Sequence, residues 1–384
     1  MQDEFRYVCE GRAGTRRIAL RSNAKKQKIT RHMKNLAQSV AAKAQASMGA
    51  AGFFFEQLDV SAKKFKTTPI TESSFSALTT ISTQQPIVFV DGGNNTLIDS
   101  PSLHVSALRV AIVTQFIREK QIRFSLTTYN ANVIISLEKI DGKKQYVISL
   151  SGADELPAFL PVAQDDELIA TTDDNRVMLT ICNYVRQSLE WHFAKQSLSS
   201  MNAGSLLVLD GSFSTRNSTQ QILLADLISS ATKCNVLVVA LSKSSSLTTT
   251  GGYAFGPFLM SHSPTADMWM TSPLAESQTV NSFSIHFAKL ATRAQNVVRI
   301  DVPANANVDV AKVFGILAWA SQDSSFPGYP YGLIKADDSA RVSQEDKEYL
   351  TTRLMMSMDP LTQKQIRLLS ASSNAHSVLD SLKF

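Results

Sequence analysis

Ile87-Val88-Phe89-Val90-Asp91-Gly92-Gly93 and Leu206-Leu207-Val208-Leu209-Asp210-Gly211-Ser212 are two apolar runs that each close on an Asp-Gly step. Each run has the length and composition of a buried strand. A carboxylate at the end of a buried strand is costly unless something pairs with it. Two such carboxylates on neighbouring strands would repel each other unless a cation lay between them. A divalent-metal site is one reading of the pair; two Asp-Gly turns closing two strands is the other.

Working outward, residues 86–150 read as an antiparallel meander. Val105–Ile117 is rich in apolar and β-branched residues, and Val133–Leu137 and Gln145–Leu150 are strands joined by an Asp141-Gly142 turn. An acidic loop with Pro157 and Pro161 follows. Asn175–Ser199 then has helical rhythm in Val177, Ile181, Val185, Leu189 and Phe193, with Glu190 next to Leu189. A strand to Asp210, a helix over 219–232 and a strand over 236–241 ending at Ser242-Lys243 complete an alternating half. That order predicts an α/β fold whose mixed sheet has a parallel part and helices on its faces. Residues 244–257 read as a loop, 282–290 and 297–302 as strands, and 308–320 as a helix. Pro327-Gly328-Tyr329-Pro330-Tyr331 reads as a rigid turn, followed by helices over 344–358 and from 362.

The N-terminal part differs. Between Gly11 and Phe55 there is no Asp or Glu, while Lys and Arg recur from Arg12 to Lys43. The formal net charge is +5, so the remainder is slightly acidic. Ile29, Met33, Leu36 and Val40 would share one face of a helix. A block of one sign suits a polyanion or an acidic partner, or is a solvated helix face. Residues 61–85, rich in Ser and Thr, read as a connector. The division expected is a helical basic extension and linker over 1–80 and a catalytic domain over 81–384.

The chain has 384 residues, 44% of them hydrophobic, enough for a sizeable core. No apolar run approaches the roughly 20 residues that cross a bilayer, and no secretory signal opens the chain, so a cytoplasmic protein without membrane contact is expected. Cys9, Cys182 and Cys234 are too scattered for a zinc pattern. The histidines show no ligand spacing, and His262 and His286 read as structural or exposed. There is no Walker A sequence and no G-x-G-x-x-G loop.

Ends of parallel strands are where open α/β sheets place their sites, and Asp91, Asp210 and Lys243 are expected there. Carboxylate oxygens suit Mg²⁺ and Mn²⁺, and a lysine beside them would stabilise charge on a phosphate. The parts are those of metal-dependent phosphoryl transfer.

Six segments in order resemble the NurA family, nucleases of archaea and some bacteria with an RNase H-like core. They are IVFVDGGNN (87–95), RQSLEWHFA (186–194), LLVLDGSFS (206–214), VVALSKSSS (238–246), SFSIHFAKL (282–290) with VVRIDVP (297–303), and PGYPYGLIKADDSARVSQED (327–346). They span about residues 80–384. The resemblance implies an RNase H-like mixed sheet flanked by helices, with a helical N-terminal extension and C-terminal helices.

It also implies metal ligands at Asp91, Glu190, Asp210 and Asp337, with Lys243 and Tyr329 assisting. Asp337 stands where the family commonly has a histidine, which makes the site more anionic and removes a neutral base. Each residue has a plainer reading: Glu190 as an exposed acid paired with Arg186, Lys243 as a solvated strand end, Tyr329 packed in its turn, Asp337 or Asp338 as a helix cap. The implied activity is 5′-to-3′ exonuclease and single-strand endonuclease action on DNA with Mn²⁺ or Mg²⁺, two ions, in DNA-end resection. The implied partners are a second copy of the chain and a HerA-type hexameric ATPase. The rival from another class is a catalytically weak scaffold that binds DNA and a translocase; a small-molecule phosphohydrolase would leave the basic arm unused.

Overall fold

The computed structural model describes residues 56–381 apart from 61–63, 153–155, 171, 174–175, 244–246, 266, 280 and 305–308, together with part of the stretch 33–43. The expected helical extension therefore lies mostly outside the described residues. Within it Met33, Leu36 and Val40 are helical and exposed.

The strands are β1 (Phe65–Thr67), β2 (Phe75–Ala77), β3 (Ile87–Asp99), β4 (Leu103–Arg118), β5 (Gln121–Ile140), β6 (Lys143–Gly152), β7 (Val162–Ala163), β8 (Leu206–Asp210), β9 (Leu237–Ser242), β10 (Trp269–Thr271), β11 (Ala275–Ser277), β12 (Phe283–Lys289) and β13 (Val298–Pro303). The helices are α1 (Val177–Ser197), α2 (Ser218–Lys233), α3 (Phe255–His262), α4 (Val310–Ala320), α5 (Tyr331–Ala340), α6 (Gln344–Met356) and α7 (Pro360–Ser381).

All thirteen strands among the described residues join one sheet, in the order β1-β11-β12-β13-β9-β8-β3-β4-β5-β6-β7, with β10 and β2 branching from β12. β3 to β6 form the antiparallel meander read from the sequence. β8 pairs in parallel with β3 on one side and β9 on the other. The central order β9-β8-β3-β4-β5 is that of an RNase H-like sheet. Its central runs read as unbroken apolar stretches because both faces are covered. Val88, Val90, Leu207 and Leu209 pack with Ile181, Val185 and Leu189 of α1 and Leu224 and Leu227 of α2. Ile87, Phe89, Val208 and Val239 pack with Phe314 and Leu317 of α4 and Leu333 and Ala336 of α5.

Two readings need correction. Residues 61–85 are more than a connector: β1 and β2 lie there and add to the far side of the sheet through β11 and β10. The short strands β10 and β11 and the helices α3 and α5 are not expected from the sequence, which puts only a rigid turn between α4 and α6. Helices α2 and α4 start where Asn217 and Asp309 accept the Gln220 and Lys312 N–H groups. At α6, Ser343 and Asp346 form a capping box.

Candidate active site

The parallel ladder between β3 and β8 ends at Val90 opposite Leu209. Asp91 and Asp210 are the next residues on these adjacent strands, so their side chains leave the same face a strand spacing apart. The first Asp-Gly step is not a turn. β3 continues through Asp91-Gly92-Gly93 to Asp99, still paired with β4. Asp210 does end β8, as expected.

The two glycines leave room for neighbours. A Cβ on Gly92 would lie 2.5 Å from Glu190 Oε1 and 2.9 Å from its Cγ. On the other face a Cβ on Gly93 would meet the Ala340 carbonyl at the end of α5. With no side chain at either position, α1 and α5 close on β3 from opposite sides. Asn95 and Arg109 complete the seat of α5: Asn95 donates to the Val342 carbonyl at 3.1 Å and Arg109 to the Arg341 carbonyl at 2.9 Å.

So held, α5 brings Asp337 to the strand ends. Carboxylate oxygens of Asp91, Asp210 and Asp337 all lie within 4.8 Å of one another. Asp337 sits inside α5, so it caps no helix; Ser343 does that for α6. Lys243, just beyond β9, reaches Asp337 Oδ1 at 2.6 Å and Asp210 Oδ2 at 3.1 Å. Tyr329 is buried, donates its hydroxyl to Asp210 Oδ1 at 3.1 Å, and lies beneath the Lys243 ammonium.

Glu190 is placed differently. It is buried beneath Gly92, on the face of β3 opposite Asp91, and is ion-paired with Arg186. It is not among the three converging acids. Arg186 also donates to the Gly92 carbonyl at 2.8 Å, tying α1 to β3 directly behind Asp91. Sequence reasoning had Arg186 only as a neighbour of Glu190, and had no role for Arg341, whose guanidinium stands 3.5 Å from Asp337. In both cases the signal is an Arg four residues from an acid, on one helix for Arg186 and just past the helix end for Arg341.

The electrostatics follow from burial and crowding. Burial, then the Asp210 charge, pushes Asp91 up to about 7, against the pull of Lys243, the Gly92 N–H and Arg186. Burial pushes Glu190 up to about 8, against the pull of Arg186. Burial opposes the charge on Lys243, but its hydrogen bonds to Asp337 and Asp210 prevail and raise it. Burial would also raise Asp337, but the Lys243 hydrogen bond and charge outweigh that and hold it low. Burial and the Asp210 charge keep Tyr329 protonated, a donor only. An all-oxygen, anionic donor set on three separate elements is the chemistry a hard divalent cation takes, so these residues fit Mg²⁺ or Mn²⁺.

The loop after Asp210 is fixed too. Asp301 on β13 is fully buried, forms a bidentate pair with Arg299 (2.7 and 2.8 Å), and accepts the Phe213 N–H at 3.0 Å. The Ser242 hydroxyl donates to the Gly211 carbonyl at 2.6 Å.

Fold and site together define a protein of the RNase H-like class with a carboxylate cluster suited to a divalent cation. Residues 85–342 match the NurA domain, and the chain belongs to the NurA family of nucleases. No curated protein matches it in sequence. Among solved structures, the NurA nuclease from Sulfolobus solfataricus aligns over 85% of this chain and 93% of its own, with 15% identity and a TM-score of 0.48. The A. aeolicus Argonaute aligns at 9% identity and a TM-score of 0.29, over 68% of this chain and 29% of its own. The Marinitoga piezophila Argonaute, in complex with a 5′ OH guide RNA and target DNA, aligns at 9% identity and a TM-score of 0.24, over 67% of this chain and 30% of its own. Among the described residues no helix is long and apolar enough to cross a membrane.

Proposed function

We propose that this chain is a divalent-metal-dependent deoxyribonuclease, a 5′-to-3′ exonuclease and single-strand endonuclease. In this reading it acts as a cytoplasmic homodimer with a HerA-type hexameric translocase in DNA-end resection. The observation that carries the reading is the convergence of Asp91, Asp210 and Asp337 from β3, β8 and α5 within 4.8 Å. These three carboxylates would hold Mn²⁺ or Mg²⁺, two ions in the full complement, with Glu190 the fourth acid behind β3. Such ions, when bound, activate a water and stabilise the leaving oxygen of a phosphodiester.

The protein's own groups have distinct tasks. Lys243 holds Asp210 and Asp337 together and, in the reaction, offers its ammonium to the phosphate oxygens that gain charge. Tyr329, a permanent donor, fixes the rotamer of Asp210. Arg186 holds Glu190 against the backbone of β3.

The test is cleavage of 5′- and 3′-labelled single-stranded DNA with Mn²⁺, Mg²⁺ or chelator, using wild type, Asp91→Asn and Asp210→Asn. Metal-dependent cleavage lost in both variants is expected; cleavage that survives both would remove the site from the reaction. The other reading, a catalytically weak scaffold, draws on Asp337 being tied to both Lys243 and Arg341. DNA binding without cleavage in every divalent ion tested would favour it.

A further inference from the structure

β5 runs over 20 residues, but β6 pairs only with its second half, Ala131–Ile140. Along Gln121–Asn130, β4 pairs one edge and, among the described residues, no strand pairs the other. The β4–β5 hairpin turns on two left-handed residues, Glu119 and Lys120 (φ 54° and 62°), between the closing pair Arg118 and Gln121. In a two-residue hairpin that pair exchanges both hydrogen bonds. By alternation the N–H and C=O groups of residues 122, 124, 126, 128 and 130 point to the open edge.

Folded proteins blunt such edges with charges, prolines, bulges or short length. The stretch Gln-Ile-Arg-Phe-Ser-Leu-Thr-Thr-Tyr-Asn has one charge, Arg123, no proline and no bulge. Ile122 and Leu126 are 48% and 54% exposed on the face that also carries Phe124, Tyr331 and Lys335. Left bare, it is a template for aggregation.

We infer that this edge is the surface on which two copies of the chain pair, β5 against β5, antiparallel about a two-fold axis at Leu126. The occupant has to be an extended strand, because the edge offers a row of ladder donors and acceptors. The charge pattern selects a second copy in antiparallel register. Parallel pairing would set Arg123 on Arg123, whereas the two-fold sets Arg123 beside Tyr129, Ser125 beside Thr127 and Leu126 beside Leu126, pairs that stabilise sheets. The lengths also match, since each copy offers ten open positions, 121–130, and inserts the same ten. The contact would form about ten ladder hydrogen bonds and join the two sheets into one. It gives the proposed dimer its surface and does not depend on the nuclease reading.

The test places a cysteine on the axis. In a Cys9→Ser/Cys234→Ser background, Leu126→Cys would face its own copy at a Cα separation of about 5.5 Å, within disulfide reach. Ile122→Cys would lie roughly 27 Å from its copy, eight strand residues away. Mild oxidation should cross-link the first variant and not the second. Leu126→Pro removes only an outward N–H, which an edge strand tolerates, and should turn a dimer into a folded monomer by light scattering and circular dichroism. A dimer that neither cross-links at Leu126 nor dissociates with Leu126→Pro would overturn this surface while leaving dimerisation and the nuclease reading untouched. A monomeric wild type would overturn it as well. Slow amide exchange at Leu126 and Thr128 in such a monomer would show that another segment of the same chain fills the edge.

Discussion

Gly92→Ala tests whether Asp91-Gly92-Gly93 is a turn or a passage. If the glycine only eased a turn, alanine would cost little, because β3 is extended here. The structure gives a different answer. The new Cβ would sit 2.5, 2.9 and 3.1 Å from Oε1, Cγ and Cδ of Glu190, the first two closer than Cβ contacts come and the third tighter than most. Glu190 has little room to yield, since it is buried and paired with Arg186, which itself grips the Gly92 carbonyl. Overpacking of this kind costs about 1–3 kcal/mol, and a displaced Arg186–Glu190 pair adds to it. We expect a loss of about 2–4 kcal/mol by urea denaturation and at least a tenfold fall in Mn²⁺-dependent cleavage. Glu190→Ala removes the clashing atoms, so in the double variant the added cost of Gly92→Ala should shrink. The resulting coupling should be about 1–3 kcal/mol, in the upper part of the roughly 0.5–3 kcal/mol seen for residues in contact. A Gly92→Ala protein as stable as wild type, or strictly additive costs in the cycle, would refute the close-approach argument.

Three further outcomes follow from the same geometry. Asp91 (about 7) and Glu190 (about 8) sit above their unfolded values of 3.8 and 4.5, so the fold holds protons that the unfolded chain releases. Stability of the metal-free protein should therefore fall as pH rises from about 4 through 8 and level off above; a flat urea-midpoint profile between pH 5.5 and 8.5 would contradict this. Arg299→Met leaves Asp301 buried without its cation and should cost about 3–5 kcal/mol, more at high pH, with the Gly211–Ser214 loop loosened in hydrogen exchange. Asp337→His installs the histidine that the family resemblance puts at this place. It should keep Mn²⁺-dependent cleavage within several-fold of wild type, with a new acidic limb near pH 6–7 in the rate profile, while Asp337→Ala should lose about tenfold or more.

Much of the frame was legible because its strands are buried on both faces. Val88, Val90, Leu207 and Leu209 alternate with Ile87, Phe89, Leu206 and Val208, and all are covered, which leaves unbroken apolar runs. Helix α1 announced itself by a four-residue rhythm whose members are all buried. Asp210 and Lys243 were readable as residues at strand ends. What failed was local. Asp-Gly-Gly is a turn signal, yet here the glycines answer to Glu190 and Ala340, residues far away in sequence. Helix α5 is ten residues long, contains Gly332 and adjacent Asp337 and Asp338, and so has weak intrinsic helicity; packing on β3 makes it a helix. The position of Glu190 behind β3 depends on which sheet face α1 covers, and helical periodicity carries no such information.

Lys243 and Arg186 divide the electrostatic problem of the site by face. Three carboxylates within 4.8 Å would repel one another by about 3–4 kcal/mol per pair at an effective dielectric of 20. On the α5 side Lys243 bridges Asp210 and Asp337, and the shared proton affinity left over falls on Asp91, the most buried of the three. On the α1 side Arg186 performs the same service for Glu190. The arrangement is asymmetric in consequence. Lys243 lies just beyond β9 and is partly exposed, so its contact with Asp337 is one a cation held in the cluster could replace. Arg186 is tied to the β3 backbone as well as to its acid, so displacing it would also break a hydrogen bond between α1 and β3. With a cation held by the three carboxylates, Lys243 would be the group free to turn away from Asp337, while the Arg186–Glu190 pair would stay in place.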